Sequence, residues 1–427
     1  MRGVNVGPFP ENFVWGAASA SYQIEGGVQE GGRGESIWDV FSHTPGKVKH
    51  GDTGDIAADS FHRWREDVAL LKEMGLGAYR FSIAWPRIAP NGDTCWNPEG
   101  FAYYDALVDA LLEAGIEPWV TLYHWDLPQA LQNRGGWQNE ETIRNYAAYA
   151  SEVGKHFKGR VTHWFTFNEP QCFIGLGCGS GEHAPGLRLD TQSLETCWAN
   201  FRQAHGMAYN ILHQIDPENQ VGLASTGTVY YPVTDSAEDI EAARHLTFAL
   251  PEGPRTFSHT LALDGNNHLD FIGLNLYHGV PACMGEHGPE AVPFPTGFPR
   301  TAMDWPVTPE ALEWGIRFLA ERYQKPLYVS ENGLSCRDWV SADGQVHDPQ
   351  RIDFLTRYLQ TLGRAVNSGV NVQGFFHWSL TDNFEWAEGY GQRFGLVYVD
   401  YATGTRTLKD SGQWFSQVAT NNAEAVF

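Results

Sequence analysis

Short apolar runs alternate along this chain with longer stretches whose apolar residues recur every three or four positions. The runs lie at Phe13–Ala18, Ala78–Ser82, Pro118–Tyr123, His163–Asn168, Val221–Ser225, Phe271–Tyr277, Leu327–Glu331 and Val372–Trp378. Near-continuous apolar character over so few residues predicts strands buried on both faces, as in a parallel sheet. The intervening stretches read as helices. Asp348-Pro349 supplies an N-cap and a first-turn proline, Ile352, Leu355, Leu359, Leu362 and Val366 follow, and Gly369 stands where a left-handed residue ends a helix. Asn97-Pro98 opens a second, with Tyr104, Leu107 and Leu111 before Gly115. Phe61, Trp64, Val68 and Leu71 mark a third that stops at Gly75. Eight strands alternating with helices predict an α/β fold, a single (β/α)8 TIM barrel with its active site at the C-terminal ends of the strands. No G-x-G-x-x-G follows the first strand, so a dinucleotide-binding sheet has no support.

Composition narrows this picture. Of 427 residues 42% are hydrophobic and 19% charged, enough apolar material for a large core. No Ser/Gly/Pro-rich linker or block of like charge divides them, so one domain spanning 1–427 is expected. The balance of 51 acidic against 29 basic residues, a formal charge of −22, argues against nucleic-acid and anionic-membrane partners. No apolar run reaches the ~20 residues that cross a bilayer. The start of the chain shows no basic region followed by an apolar stretch, so a cytoplasmic location is expected. Cys95, Cys172, Cys178, Cys197, Cys283 and Cys336 form no CxxC pair and read as free thiols. The 16 histidines show no HxH or HExxH pattern, so neither metal nor cofactor is expected. Nothing in the sequence fixes an oligomeric state.

Polar residues at the strand ends change the reading from architecture to chemistry. Arg80, His124, Asn168-Glu169, Asn275 with Tyr277, Glu331-Asn332 and His377-Trp378 all close apolar strands. One such residue is commonly a satisfied structural group; six strands ending alike point to a catalytic mouth. Glu169 and Glu331 each follow an apolar run, where a carboxylate with only surface duties is out of place. Two carboxylates across a barrel mouth are the equipment for glycosidic bond cleavage, provided their environments separate their pKa values. Trp378 and Trp386, beside Asn383 and Glu385, suit a sugar: indole for a C–H face, planar hydrogen-bonding groups for the hydroxyl rim.

Around these residues the sequence closely resembles glycoside hydrolase family 1 over nearly its whole length. The motifs are Phe13-Val14-Trp15-Gly16, Tyr22-Gln23-Ile24-Glu25-Gly26, Ser36-Ile37-Trp38-Asp39, Tyr79-Arg80-Phe81-Ser82 and Thr121-Leu122-Tyr123-His124-Trp125-Asp126-Leu127-Pro128. They continue through Thr166-Phe167-Asn168-Glu169-Pro170, Val329-Ser330-Glu331-Asn332-Gly333, Asp382-Asn383-Phe384-Glu385-Trp386 and Arg393-Phe394-Gly395-Leu396. The resemblance implies a retaining β-glycosidase, foremost a β-glucosidase acting on small neutral β-glycosides. In it Glu169 would be acid and then base, and Glu331 the nucleophile. Arg80, Asn275 and Tyr277 would surround Glu331. Gln23, His124, Trp125, Asn168, Glu385 and Trp386 would bind sugar hydroxyls, Trp378 would form the floor, and Phe394 would close an edge. Three positions depart from the family pattern: Gln171 stands where Trp is common, Ser330 for Thr and Leu408 for Pro. Gln171 bears on the leaving-group side. The rival readings are a 6-phospho-β-glycosidase, a non-catalytic sugar-binding relative, which would have lost a glutamate, and a metal-dependent barrel hydrolase.

Overall fold

Eight parallel strands close on themselves in the computed structural model, which describes residues 9–249 and 268–427. They are β1 Val14–Ala18, β2 Ala78–Ser82, β3 Glu117–Thr121, β4 His163–Asn168, β5 Gln220–Ser225, β6 Phe271–Asn275, β7 Leu327–Asn332 and β8 Val372–Trp378. Each pairs with its neighbours in sequence, and β1 closes the ring on β8 with Ala18 opposite Trp378. This is the predicted (β/α)8 barrel. Two expected strands are shorter at their C-terminal ends. After Thr121 two bonds continue the contact with β4, the Leu122 amide donating to the Phe165 carbonyl at 2.8 Å and the Asn168 amide to the Tyr123 carbonyl at 2.9 Å, and Trp125 then turns with φ 77°. The sixth strand likewise ends at Asn275 rather than Tyr277.

The barrel interior is packed with aromatic rings rather than with branched aliphatics. Trp119 contacts Phe271, Tyr328 and Phe376 at centroid separations of 5.7, 4.8 and 5.1 Å. Glycines on adjacent strands make room for these rings. A β-carbon at Gly222 would lie 2.4 Å from Phe271, and one at Gly16 2.6 Å from Phe376. The floor beneath the strand ends is therefore closely packed.

The principal helices are α1 Ser60–Glu73, α2 Pro98–Glu113, α3 Glu140–His156, α4 Thr191–Ile215, α5 Ala237–Phe248, α6 Glu310–Tyr323, α7 Pro349–Asn367 and α8 Asp410–Thr420. Three of them, α1, α2 and α7, are those expected from the pattern. Gly75, Gly115 and Gly369 follow them with φ of 65°, 76° and 94°, as left-handed C-terminal residues do. Asn97 caps α2 by accepting from the Glu99 amide. Asp348 does not cap α7 through its side chain. It pairs instead with Arg351 and accepts from the Ser411 amide at 2.8 Å, because it is buried where the C-terminal helix docks.

Two small sheets lie outside the barrel: Val397–Asp400 with Thr405–Leu408, and Val229–Pro232 with Gly279–Gly285 and Gly288–Ala291. Among the described residues no helix is long and apolar enough to cross a membrane. Among the described residues no disulfide joins the six cysteines.

Candidate active site

Glu331 is the penultimate residue of β7, just beyond a shift in its register against β6. Such an irregularity re-aims the side chain that follows it. Its carboxylate accepts from Arg80 Nη1 at 2.6 Å and from the Tyr277 hydroxyl at 2.7 Å. Arg80 is wholly buried, its guanidinium 4.7 Å above the Phe165 ring, and its other arm donates to Asn168 Oδ1 at 2.7 Å. Burial pushes the Glu331 pKa up, while the Arg80 cation and the two donors pull against it. A buried carboxylate with a cation at contact distance is equipped to stay ionised.

Glu169 follows β4, also beyond a register shift, and adopts φ 42°. Trp125 and Trp386 at the same mouth have φ of 77° and 50°. Non-glycine residues in the left-handed region cluster where a surrounding scaffold over-determines them for function. Glu169 Oε1 accepts from Asn275 Nδ2 at 2.8 Å, and its Oε2 from the Cys172 thiol at 3.1 Å. Among the described residues no cation is in contact with it. Burial, and next the charge of Glu331, push its pKa up to about 7. The two glutamates thus differ as an acid/nucleophile pair must.

Both face a cavity of about 600 Å³ whose wall includes His124, Trp378, Glu385, Trp386, Tyr277 and Phe394. Burial, together with Glu331 and Glu169, raises the Glu385 pKa to about 8. Gln23 lies behind it, donating to Asn383 Oδ1 at 3.0 Å, to the Phe384 carbonyl at 2.9 Å and to Glu385 Oε2 at 3.3 Å. Asn168 Nδ2 faces His124 Nε2 at 3.0 Å. Burial and the Arg80 charge hold His124 neutral, so Nε2 accepts and the ring proton sits on Nδ1. That nitrogen and Gln23 Oε1 are buried without a partner among the described residues. His124 lines the cavity and Gln23 lies one contact behind it, against Glu385; an orphaned donor and acceptor so placed are what a polyhydroxylated ligand would satisfy. Among the described residues no group of three or more His, Cys, Asp or Glu could hold a metal ion.

The family model described as glycosyl hydrolase family 1 matches residues 5–261 and 266–424. The chain belongs to glycosyl hydrolase family 1. It is 42% identical to a curated relative named beta-glucosidase A of Thermotoga maritima, over 98% of this chain and 99% of that protein. It is 40% identical to beta-glucosidase A of Acetivibrio thermocellus, over 97% and 98%. Among solved structures, the beta-glucosidase from Thermotoga maritima in complex with glucoimidazole superposes with a TM-score of 0.87 at 40% identity, covering 97% of this chain and 99% of that one.

Within this family 1 barrel, Arg80, Asn168, Glu169, Asn275, Tyr277 and Glu331 form one hydrogen-bonded group across β2, β4, β6 and β7. Trp125 also lines the cavity, and its indole N–H donates to the Asn168 carbonyl at 2.9 Å, so it braces the end of β4. Asn168 likewise spends Oδ1 on Arg80 and on Asn275. Trp386 lies 4.4 Å from Trp125 and 4.6 Å from Trp38 in centroid separation, with tilted rings, an aromatic cluster. Gln171 lines the cavity, yet its amide is directed at the Ser225 hydroxyl and the Thr226 carbonyl. Sequence reasoning passed over Cys172, Glu182, His183, Thr226, His278, Met303 and Trp305 on the same wall. Apart from Cys172, on the π-helical turn Gln171–Ser180, they come from irregular segments beyond the strands, where no periodicity marks a direction.

Proposed function

We propose that this chain is a retaining β-glucosidase that releases terminal β-D-glucosyl residues from cello-oligosaccharides and from aryl and alkyl β-glucosides. The observation that carries the reading is the asymmetry of the two glutamates. Glu331 is held by Arg80 and Tyr277, while Glu169 has its pKa raised to about 7 with no cation in contact among the described residues. An ionised Glu331 attacks the anomeric carbon as Glu169 Oε2 delivers its proton to the leaving oxygen. Esterification then makes Glu331 neutral. The repulsion that raised Glu169 disappears, its pKa falls, and it takes a proton from the incoming water. The orphaned His124 Nδ1 donor and Gln23 Oε1 acceptor support roles at sugar hydroxyls, and Trp378 a role beneath the ring. Gln171 is assigned to the leaving-group side. The whole chain is taken as one domain, and cellulose breakdown in the cytoplasm is its proposed setting.

Hydrolysis of p-nitrophenyl β-glucoside followed by proton NMR tests this directly. The first sugar formed should be the β-anomer, before mutarotation. A first-formed α-anomer would mean that water attacks in a single displacement and would overturn the retaining assignment.

A further inference from the structure

The two oxygens of Glu169 have unlike neighbours. Oε1 accepts from the Asn275 amide at 2.8 Å. That amide is itself fixed, with Oδ1 accepting from Ser330 Oγ at 2.7 Å and Nδ2 also reaching Asn168 Oδ1 at 2.9 Å. An amide N–H only donates, and a protonated carboxyl accepts best at its carbonyl oxygen, so the Asn275 donor on Oε1 favours the acid's proton on Oε2. Oε2 lies 3.1 Å from Cys172 Sγ. The thiol stands on the π-helical turn Gln171–Ser180 and lines the cavity. Its backbone amide donates to the Glu169 carbonyl at 2.8 Å, which fixes the two residues relative to each other.

We propose that Cys172 is a positioning residue for the acid/base proton: its thiol attends the oxygen that carries the proton and donates to that oxygen once the proton has left. The proposal rests on the acid/base reading of Glu169 given above. A thiol is a weak donor. It therefore favours the carboxylate less than a hydroxyl would and more than a methyl group would, leaving Glu169 poised for both halves of the cycle. The Cys172 contact lowers the Glu169 pKa against the larger effects of burial and Glu331, as Asn275 and Arg80 also do. The other titratable groups around Glu169 are Tyr277 and Glu385, with Glu182, His183 and His278 on the cavity wall.

The test is the pH dependence of kcat/KM on p-nitrophenyl β-glucoside for the full chain, for Cys172→Ser and for Cys172→Ala, with folding checked by circular dichroism. The alkaline limb should fall in the order Ala above native above Ser, with steps of about half a pH unit, while the acid limb set by Glu331 stays in place. If the alanine variant does not fold, Cys172→Val takes its position in the series. Coincident alkaline limbs, or the reverse order, overturn the positioning role while leaving the β-glucosidase reading intact. A native chain with no hydrolysis at any pH overturns both.

Discussion

The proposed nucleophile, Glu331, and the proposed acid, Glu169, differ in what they touch, so their removal should fail in different ways. Replacing Glu331 with Ala or Gly deletes the bond-forming carboxylate and leaves Arg80 and Tyr277 in place. We expect kcat to fall by several orders of magnitude. Azide should enter the vacated space and give the α-glucosyl azide, identifiable by its anomeric coupling constant; the β-azide from this variant would contradict the assignment. Glu169→Ala should abolish hydrolysis of poor leaving groups but still allow glycosylation by dinitrophenyl glucosides, after which the reaction stalls without its base. Comparing kcat/KM on the two substrates checks this, and equal losses would remove Glu169 from the acid role. Glu169 and Glu331 were legible in the sequence because each ends an apolar strand inside a distinctive motif. The engagement of Trp125 with the Asn168 carbonyl was not, since an indole beside a strand end serves a ligand or the protein equally well.

Elements explain how loops without regular structure keep these residues in register. Lys409, wholly buried just before α8, donates to Asp382 at 2.7 Å and to Asp338 at 2.6 Å. Arg393 and Arg351 complete the network, the first on Asp382 and the second on Asp338. Asp382 opens the segment that carries Asn383, Glu385 and Trp386, so the C-terminal helix anchors one wall of the cavity. Lys409→Met would leave two buried carboxylates each short of a partner, at a cost of about 3–5 kcal/mol. Urea unfolding should report that loss, and KM should rise more than kcat falls. An unchanged unfolding midpoint would show that the two arginines suffice. The eight strands were readable from their apolar runs, but this network was not, because its members lie far apart in sequence and each reads alone as a surface charge.

The same segment bears on phosphorylated substrates. Among the described residues lining the cavity there are five glutamates, Glu169, Glu182, Glu331, Glu385 and Glu388, and two lysines, Lys47 and Lys49. Lys49 is already paired with Glu388 at 2.6 Å. Lys47 has no carboxylate partner among the described residues and lies over the Phe41 ring at 5.4 Å, so a 6-phosphate beside Glu385 would leave water with one lysine at most to neutralise it. With its pKa near 8, Glu385 is mostly protonated at neutral pH, so missing neutralisation is the main obstacle there and repulsion adds to it above pH 8. We expect p-nitrophenyl β-glucoside to be preferred over its 6-phosphate, with the ratio of kcat/KM values widening from pH 7 to pH 9. A ratio near one at both pH values would remove Glu385 from the sugar-binding wall and favour the phosphorylated substrate.

At the scale of the molecule, a closed barrel gathers carboxyls from distant strands into one poorly solvated mouth, and this has a cost in stability that depends on pH. Burial raises Glu169 to about 7, Glu385 to about 8 and Asp126, in the loop after β3, to about 7. In the unfolded chain such a glutamate titrates near about 4.3. Between these values the folded state binds more protons than the unfolded one, so stability declines as pH rises through that window. The contribution is fully present below the unfolded value and lost above the folded one. The surface charge of −22 acts in the same direction, because each further ionisation adds to self-repulsion. Glu385→Gln removes one titrating group and keeps a hydrogen-bonding side chain of the same shape beside Gln23. Its melting temperature relative to the native chain should be lowest near pH 5 and should climb steadily to pH 9, even though catalysis suffers. Calorimetric scans across that range decide the matter, and a constant difference would mean that Glu385 is already ionised at pH 5 in the folded protein.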